Sequence, residues 1–179
     1  MKIQVSQLPE GQNCFQWNSD KEPGLGEFYK HQKSQGYDLT GPISLSMDLT
    51  RLEPDYYLRA KLAFALQQNC SLCGEPVQVK VDAPFELALL RTDKRKSGTA
   101  RLAEEADDLD LVCFAGNELV LDPILEEQFV LNVPLQAECK TAECLERSRL
   151  LLEKVHEKAD HWKDKNSPFS VLEDLKKKK

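Results

Sequence analysis

Between Ile43 and Leu89 the chain alternates apolar and polar residues in three successive runs, and this patterning constrains the fold more than any other feature. The first run is Ile43, Leu45, Met47 and Leu49; the second is Leu58, Ala60, Leu62, Phe64 and Leu66. The third is Val77, Val79, Val81, Ala83 and Phe85, continuing through Leu87 and Leu89. Successive side chains of a strand point to opposite faces, so each run predicts a strand with one face in a core and one in water. Short connections join them as an antiparallel meander, expected to curl toward a barrel. Pro84 cannot donate to a ladder and predicts an edge position or a bulge in the third strand.

Around this meander the signals are shorter. Ile3 and Val5 predict a small strand within residues 2–8, at an edge or closing the barrel. From Pro9 to Pro42 several glycines and many polar residues read as a long loop pinned by Phe15, Trp17, Phe28 and Tyr37, with a short helix around Leu25 to Gln32. Leu109, Leu111 and Cys113 suggest one more strand, with Cys113 in the core. Asp122-Pro123 supplies an N-cap residue and a proline for a first helical turn, followed by Ile124, Leu125, Phe129 and Val130 at helical spacing up to Pro134. From Cys144 a second helix carries Leu145, Ser148, Leu152, Val155, Ala159 and Trp162 on one face. The expected fold class is α+β: an antiparallel, barrel-like meander with two helices in the C-terminal half and a zinc-knuckle hairpin. It is read as one domain over residues 1–175, loop-rich over 1–38, β-rich over 39–121 and helical over 122–175, before a basic tail at 176–179.

Charge limits the partners. With 24 Lys and Arg against 30 Asp and Glu, the net charge of -6 argues against nonspecific coating of nucleic acid, which depends on cations replacing counterions at phosphate. Any RNA contact needs a local basic patch. Arg91, Lys94, Arg95, Lys96 and Arg101 form one, with a net charge of +4 over residues 91–101 once Asp93 is counted. The competing reading of this run is a solvated loop. The sequence shows neither a long apolar run nor the apolar core of a signal peptide, so a cytoplasmic location without membrane contact is expected. No recognisable nucleophile motif, phosphate-binding glycine loop or cofactor fingerprint stands out, and neither catalysis nor a small-molecule substrate is expected.

The six cysteines carry the most specific chemistry. Cys70-Ser71-Leu72-Cys73-Gly74 falls between two alternating strands, where two intervening residues let both sulfurs reach one metal ion and the glycine supplies a tight turn. Such a pair is half of a tetrahedral site. Cys139 and Cys144, a C-x4-C pair separated from Cys73 by 65 intervening residues, could supply the other half. A redox pair and unligated buried thiols are the alternatives. A thioredoxin-like pair would open a helix after a strand, which the hairpin context contradicts. Cys14 and Cys113 have no partner at metal spacing.

These residues resemble a known family. Cys70-x2-Cys73-Gly74, the run Glu126-Glu127-Gln128-Phe129-Val130-Leu131-Asn132-Val133-Pro134, the Cys139 and Cys144 pair, and the closing segment Ser167 to Lys176 look, in that order, like the YceD family of large ribosomal RNA subunit accumulation proteins. The resemblance runs over roughly residues 40 to 179. It implies a bacterial or organellar factor for synthesis, processing or stability of large-subunit (23S) ribosomal RNA, with Cys70, Cys73, Cys139 and Cys144 as a structural zinc set. The implied partners are ribosomal RNA or large-subunit precursor particles, reached directly or through other assembly factors. A protein-interaction adaptor without RNA contact and a thiol redox protein are the rival functions.

Overall fold

A computed structural model describes residues 1–52, 55–92 and 110–163. Its chain gathers into two compact units, one made of Met1–Gln68 with Gln78–Leu135 and the other of Asn69–Val77 with residues from Gln136 onward.

The first unit contains the meander. β1 spans Lys2–Gln4, β2 Gln12–Asn18, β3 Ser44–Leu52, β4 Asp55–Asn69, β5 Pro76–Arg91, β6 Asp110–Phe114 and β7 Glu118–Val120. Five strands form one sheet in the order β2-β3-β4-β5-β6, and β1 pairs with β7 in a separate two-stranded ribbon. β2 with β3 and β3 with β4 are antiparallel, whereas β6 runs parallel to β5, so the sheet is mixed. Among the described residues it is open, with β2 and β6 at its ends. The expected barrel does not close, because the N-terminal β1 pairs with β7 and joins neither end of the five-stranded sheet.

The alternation sets the core as physics requires. Leu45 faces Leu62, Met47 faces Ala60 and Leu49 faces Leu58 across β3 and β4, and all six are buried. Pro84 fits its place too: β6 pairs only with Leu87–Arg91, so at Pro84 the β6 side of β5 carries no ladder among the described residues.

Three α-helices are present among the described residues: α1 (Pro23–Ser34), α2 (Asp122–Asn132) and α3 (Ala142–Lys163). α1 and α2 cover the core with Leu25, Phe28, Ile124, Leu125 and Phe129. Phe129 is fully buried, its ring centroid 4.4 Å from Phe64, 5.0 Å from Tyr37 and 6.0 Å from Phe28. Truncating a buried phenylalanine of this kind costs about 3–5 kcal/mol. α2 stops before Pro134 because the residue ahead of a proline is pushed to extended backbone, and Val133 has φ -66° and ψ 120°. None of the described helices is long and apolar enough to cross a membrane.

Two further expectations need correction. Residues 12–18, read as loop, form β2: the inward positions are Asn13, Phe15 and Trp17, and a buried asparagine interrupts the apolar pattern. Its amide donates to the carbonyls of Pro9, Gly11 and Leu49, which satisfies it inside the sheet. In β6 the parity is opposite to that expected. Val112 and Phe114 pack on the core, and Cys113 is exposed, since a one-residue change of register moves every side chain to the other face.

Candidate metal centre

The second unit is built around the cysteines. β4 and β5 are joined by a turn in which the Gly74 amide donates to the Cys70 carbonyl at 2.9 Å, and Gly74 takes φ +78°, a conformation glycine adopts without a Cβ penalty. Cys70 forms an isolated bridge with Ala137, and both the amide and the hydroxyl of Ser71 donate to the Ala137 carbonyl, at 2.8 and 3.2 Å. These bonds lay the 136–144 segment beside the hairpin. The chain then turns at Lys140, whose φ of 52° makes it a non-glycine residue in the left-handed region. Thr141 Oγ1 accepts from the Cys144 amide at 3.2 Å, which caps the start of α3.

The result brings four sulfurs together. Cys70 and Cys144 Sγ are 3.6 Å apart, as are Cys73 and Cys139, and Cys139 and Cys70. All four lie within 4.8 Å of one another. Four thiolates about 2.3 Å from one zinc ion in a tetrahedron stand about 3.8 Å apart, so the donor set matches such an ion in number, type and spacing. The cluster could hold a metal ion such as zinc. Cys70 and Cys144 are buried; Cys73 and Cys139 are half-buried.

The clustered thiols perturb one another. Backbone N–H groups of Cys73 and Cys139 aim at Cys70 and lower its thiol pKa to about 6. Cys144 is pushed up, first by its hydrogen bond with Cys139 and then by burial. At Cys73 the Glu75 amide pulls the thiol down, but burial and Cys139 outweigh it and the net shift is upward. Four thiols this close cannot all ionise unless a cation shares their charge, which a divalent metal supplies. Around them Thr141 Oγ1 lies 4.0 Å from Cys139 Sγ and Arg147 pairs with Glu75 on the surface. The sequence reading singled out the four cysteines that lie together here, but missed Thr141 and Lys140. A Thr three residues before Cys144, just ahead of a helix, was the available signal.

A family model for the large ribosomal RNA subunit accumulation protein YceD matches residues 58–176. The chain belongs to the YceD family. Membership implies a role in the accumulation of large ribosomal subunit RNA. The YceD match begins in β4 and takes in all four clustered cysteines. No curated protein and no solved structure matches the chain.

Cys14 and Cys113, both exposed, lie outside the YceD cysteine cluster. Of the basic candidates, Lys94, Arg95, Lys96 and Arg101 fall outside the described residues, as does the closing segment Phe169 to Leu175. Arg91 is the one basic candidate among the described residues. It is 5% exposed at the end of β5, and its guanidinium donates to Asn117 Oδ1, so it is held within the fold.

Proposed function

We propose that this YceD-family protein is a non-enzymatic cytoplasmic factor for the synthesis, processing or stability of large-subunit (23S) ribosomal RNA, stapled by a structural zinc ion at Cys70, Cys73, Cys139 and Cys144. The observation that carries the reading is the family match over residues 58–176, which includes all four cysteines. The site chemistry supports a structural role. Four protein sulfurs complete a tetrahedron, whereas a catalytic zinc keeps one position open for water or substrate.

Phosphate contact, in a chain of net charge -6, falls to Lys94, Arg95, Lys96 and Arg101, since Arg91 is enclosed. The partner is ribosomal RNA or a large-subunit precursor particle, met directly or through another assembly factor. Deleting the gene and measuring large- against small-subunit RNA tests the function: a lowered ratio supports it, and an unchanged ratio contradicts it.

One observation favours a second reading, a protein-interaction adaptor that touches no RNA. Leu145, Leu152 and Val155 on α3 are largely exposed and offer an apolar surface. Crosslinking to RNA in cells separates the two.

A further inference from the structure

We propose that metal binding and the folding of α3 are one event. Residues 142–163 are helical only while the four cysteines hold their ion, and the unit containing the sheet keeps its fold without it. This inference rests on reading the cysteine cluster as a metal site.

Among the described residues, the unit that contains α3 shows no apolar core of its own. Among its described residues the buried side chains are Cys70, Ala137 and Cys144, and two of these three are ligands. The described apolar residues of the α3 stripe are largely exposed: Leu145 is 65% exposed, Leu152 59% and Val155 60%. Most helices in proteins draw their stability from packing an apolar face, because the first turn fixes several residues for a single hydrogen bond and an isolated helix is marginal in water. Among the described residues, α3 finds no such source within its unit.

Its first turn has another. Cys144 is the third residue of the helix, and its sulfur sits in the cluster 3.6 Å from Cys70. Thr141 receives the Cys144 amide at 3.2 Å and lies 4.0 Å from Cys139 Sγ, so cap and ligands share the same few atoms. Ligation therefore fixes the residues whose ordering limits helix formation. The remaining side-chain tie, Arg147 to Glu75, joins two exposed groups and is weak by itself. The other unit is different in kind. Its core of leucine, isoleucine and phenylalanine side chains contains no member of the cysteine cluster.

The test uses the full-length protein, stripped of metal by a chelator under reducing conditions and, separately, carrying Cys73→Ser. Circular dichroism and peptide-resolved hydrogen exchange are followed before stripping, after it, and after zinc chloride is returned to the wild-type chain. The described helices have 12, 11 and 22 residues, so loss of α3 removes roughly half of their helical signal. Amides over 145–156 are expected to exchange like an unstructured peptide in both stripped and variant protein, those of β3 and β4 to stay protected, and zinc to restore the wild-type helix. Protection of α3 that survives metal loss overturns the inference and leaves the metal site standing. So does loss of protection in β3 and β4 together with α3. Protein that contains no metal and takes up none removes the metal reading and this inference with it.

Discussion

Cys70 Sγ and Cys144 Sγ are 3.6 Å apart although the residues are 74 positions apart in the chain. One comes from the turn after β4 and the other from the first turn of α3, so a metal ion held by both would close a long loop. Cys144→Ser and Cys73→Ser should each weaken zinc binding by more than the ~10–100-fold typical of losing an outer-shell partner, because a ligand itself is removed. Cys14→Ser and Cys113→Ser, outside the cluster, should leave affinity unchanged. Competition with a colorimetric chelator measures all four variants; equal affinity across them would contradict the assignment.

Lys140 carries strain that a substitution can reveal. A non-glycine residue in the left-handed region costs about 1–2 kcal/mol, and Lys140 has φ 52° between Cys139 and the α3 cap. Lys140→Gly should stabilise the metal-bound protein by up to about 1 kcal/mol, the relief being offset in part by glycine's greater freedom when unfolded. Lys140→Val should destabilise it, as a β-branched residue resists this conformation more strongly. Thermal unfolding of the two variants in opposite directions from wild type is the expected result.

The open face of the sheet provides a pH prediction. Glu86 is held below the usual carboxylate range, first by the hydrogen bond from the Tyr57 hydroxyl and then by the Arg59 Nε–H, 2.7 Å away. A depressed carboxylate adds stability that is fully present above its unfolded pKa and lost as pH falls through the folded value. Glu86 should therefore titrate below the ordinary glutamate value in NMR, and Tyr57→Phe should raise its midpoint. A midpoint unmoved by that substitution would show that the hydroxyl contributes nothing.

The basic run from Lys94 to Arg101 tests the proposed RNA contact. Reversing Lys94, Arg95 and Lys96 to Glu should weaken RNA association and flatten its salt dependence, because fewer counterions are released. Circular dichroism of the variant should match wild type, which assigns any loss of binding to charge rather than to unfolding. Binding unchanged across a salt series would favour the adaptor reading.

Much of the architecture was legible from alternation alone, because a half-buried strand writes its period directly into the sequence. Every inward residue predicted for β3 and β4, from Leu45 to Leu66, is buried. β2 was hidden because Asn13 occupies a core-facing position and is paid for by three backbone carbonyls, a satisfaction that no hydropathy pattern records. Closure into a barrel was misjudged because strand partners at long range, such as β1 with β7, depend on tertiary packing rather than local period. The cysteine set could be read from spacing, but its outer contacts could not. Thr141 and Arg147 acquire meaning only once Cys139 and Glu75 are placed beside them.

Four sulfurs of this chain are proposed to bind one metal ion. Native mass spectrometry of protein purified anaerobically, with X-ray absorption at the zinc edge, tests it most directly. One zinc per chain with four sulfur neighbours at about 2.3 Å is the predicted result. A chain that carries no metal after anaerobic preparation, or a zinc ion with nitrogen or oxygen in its inner shell, would contradict it.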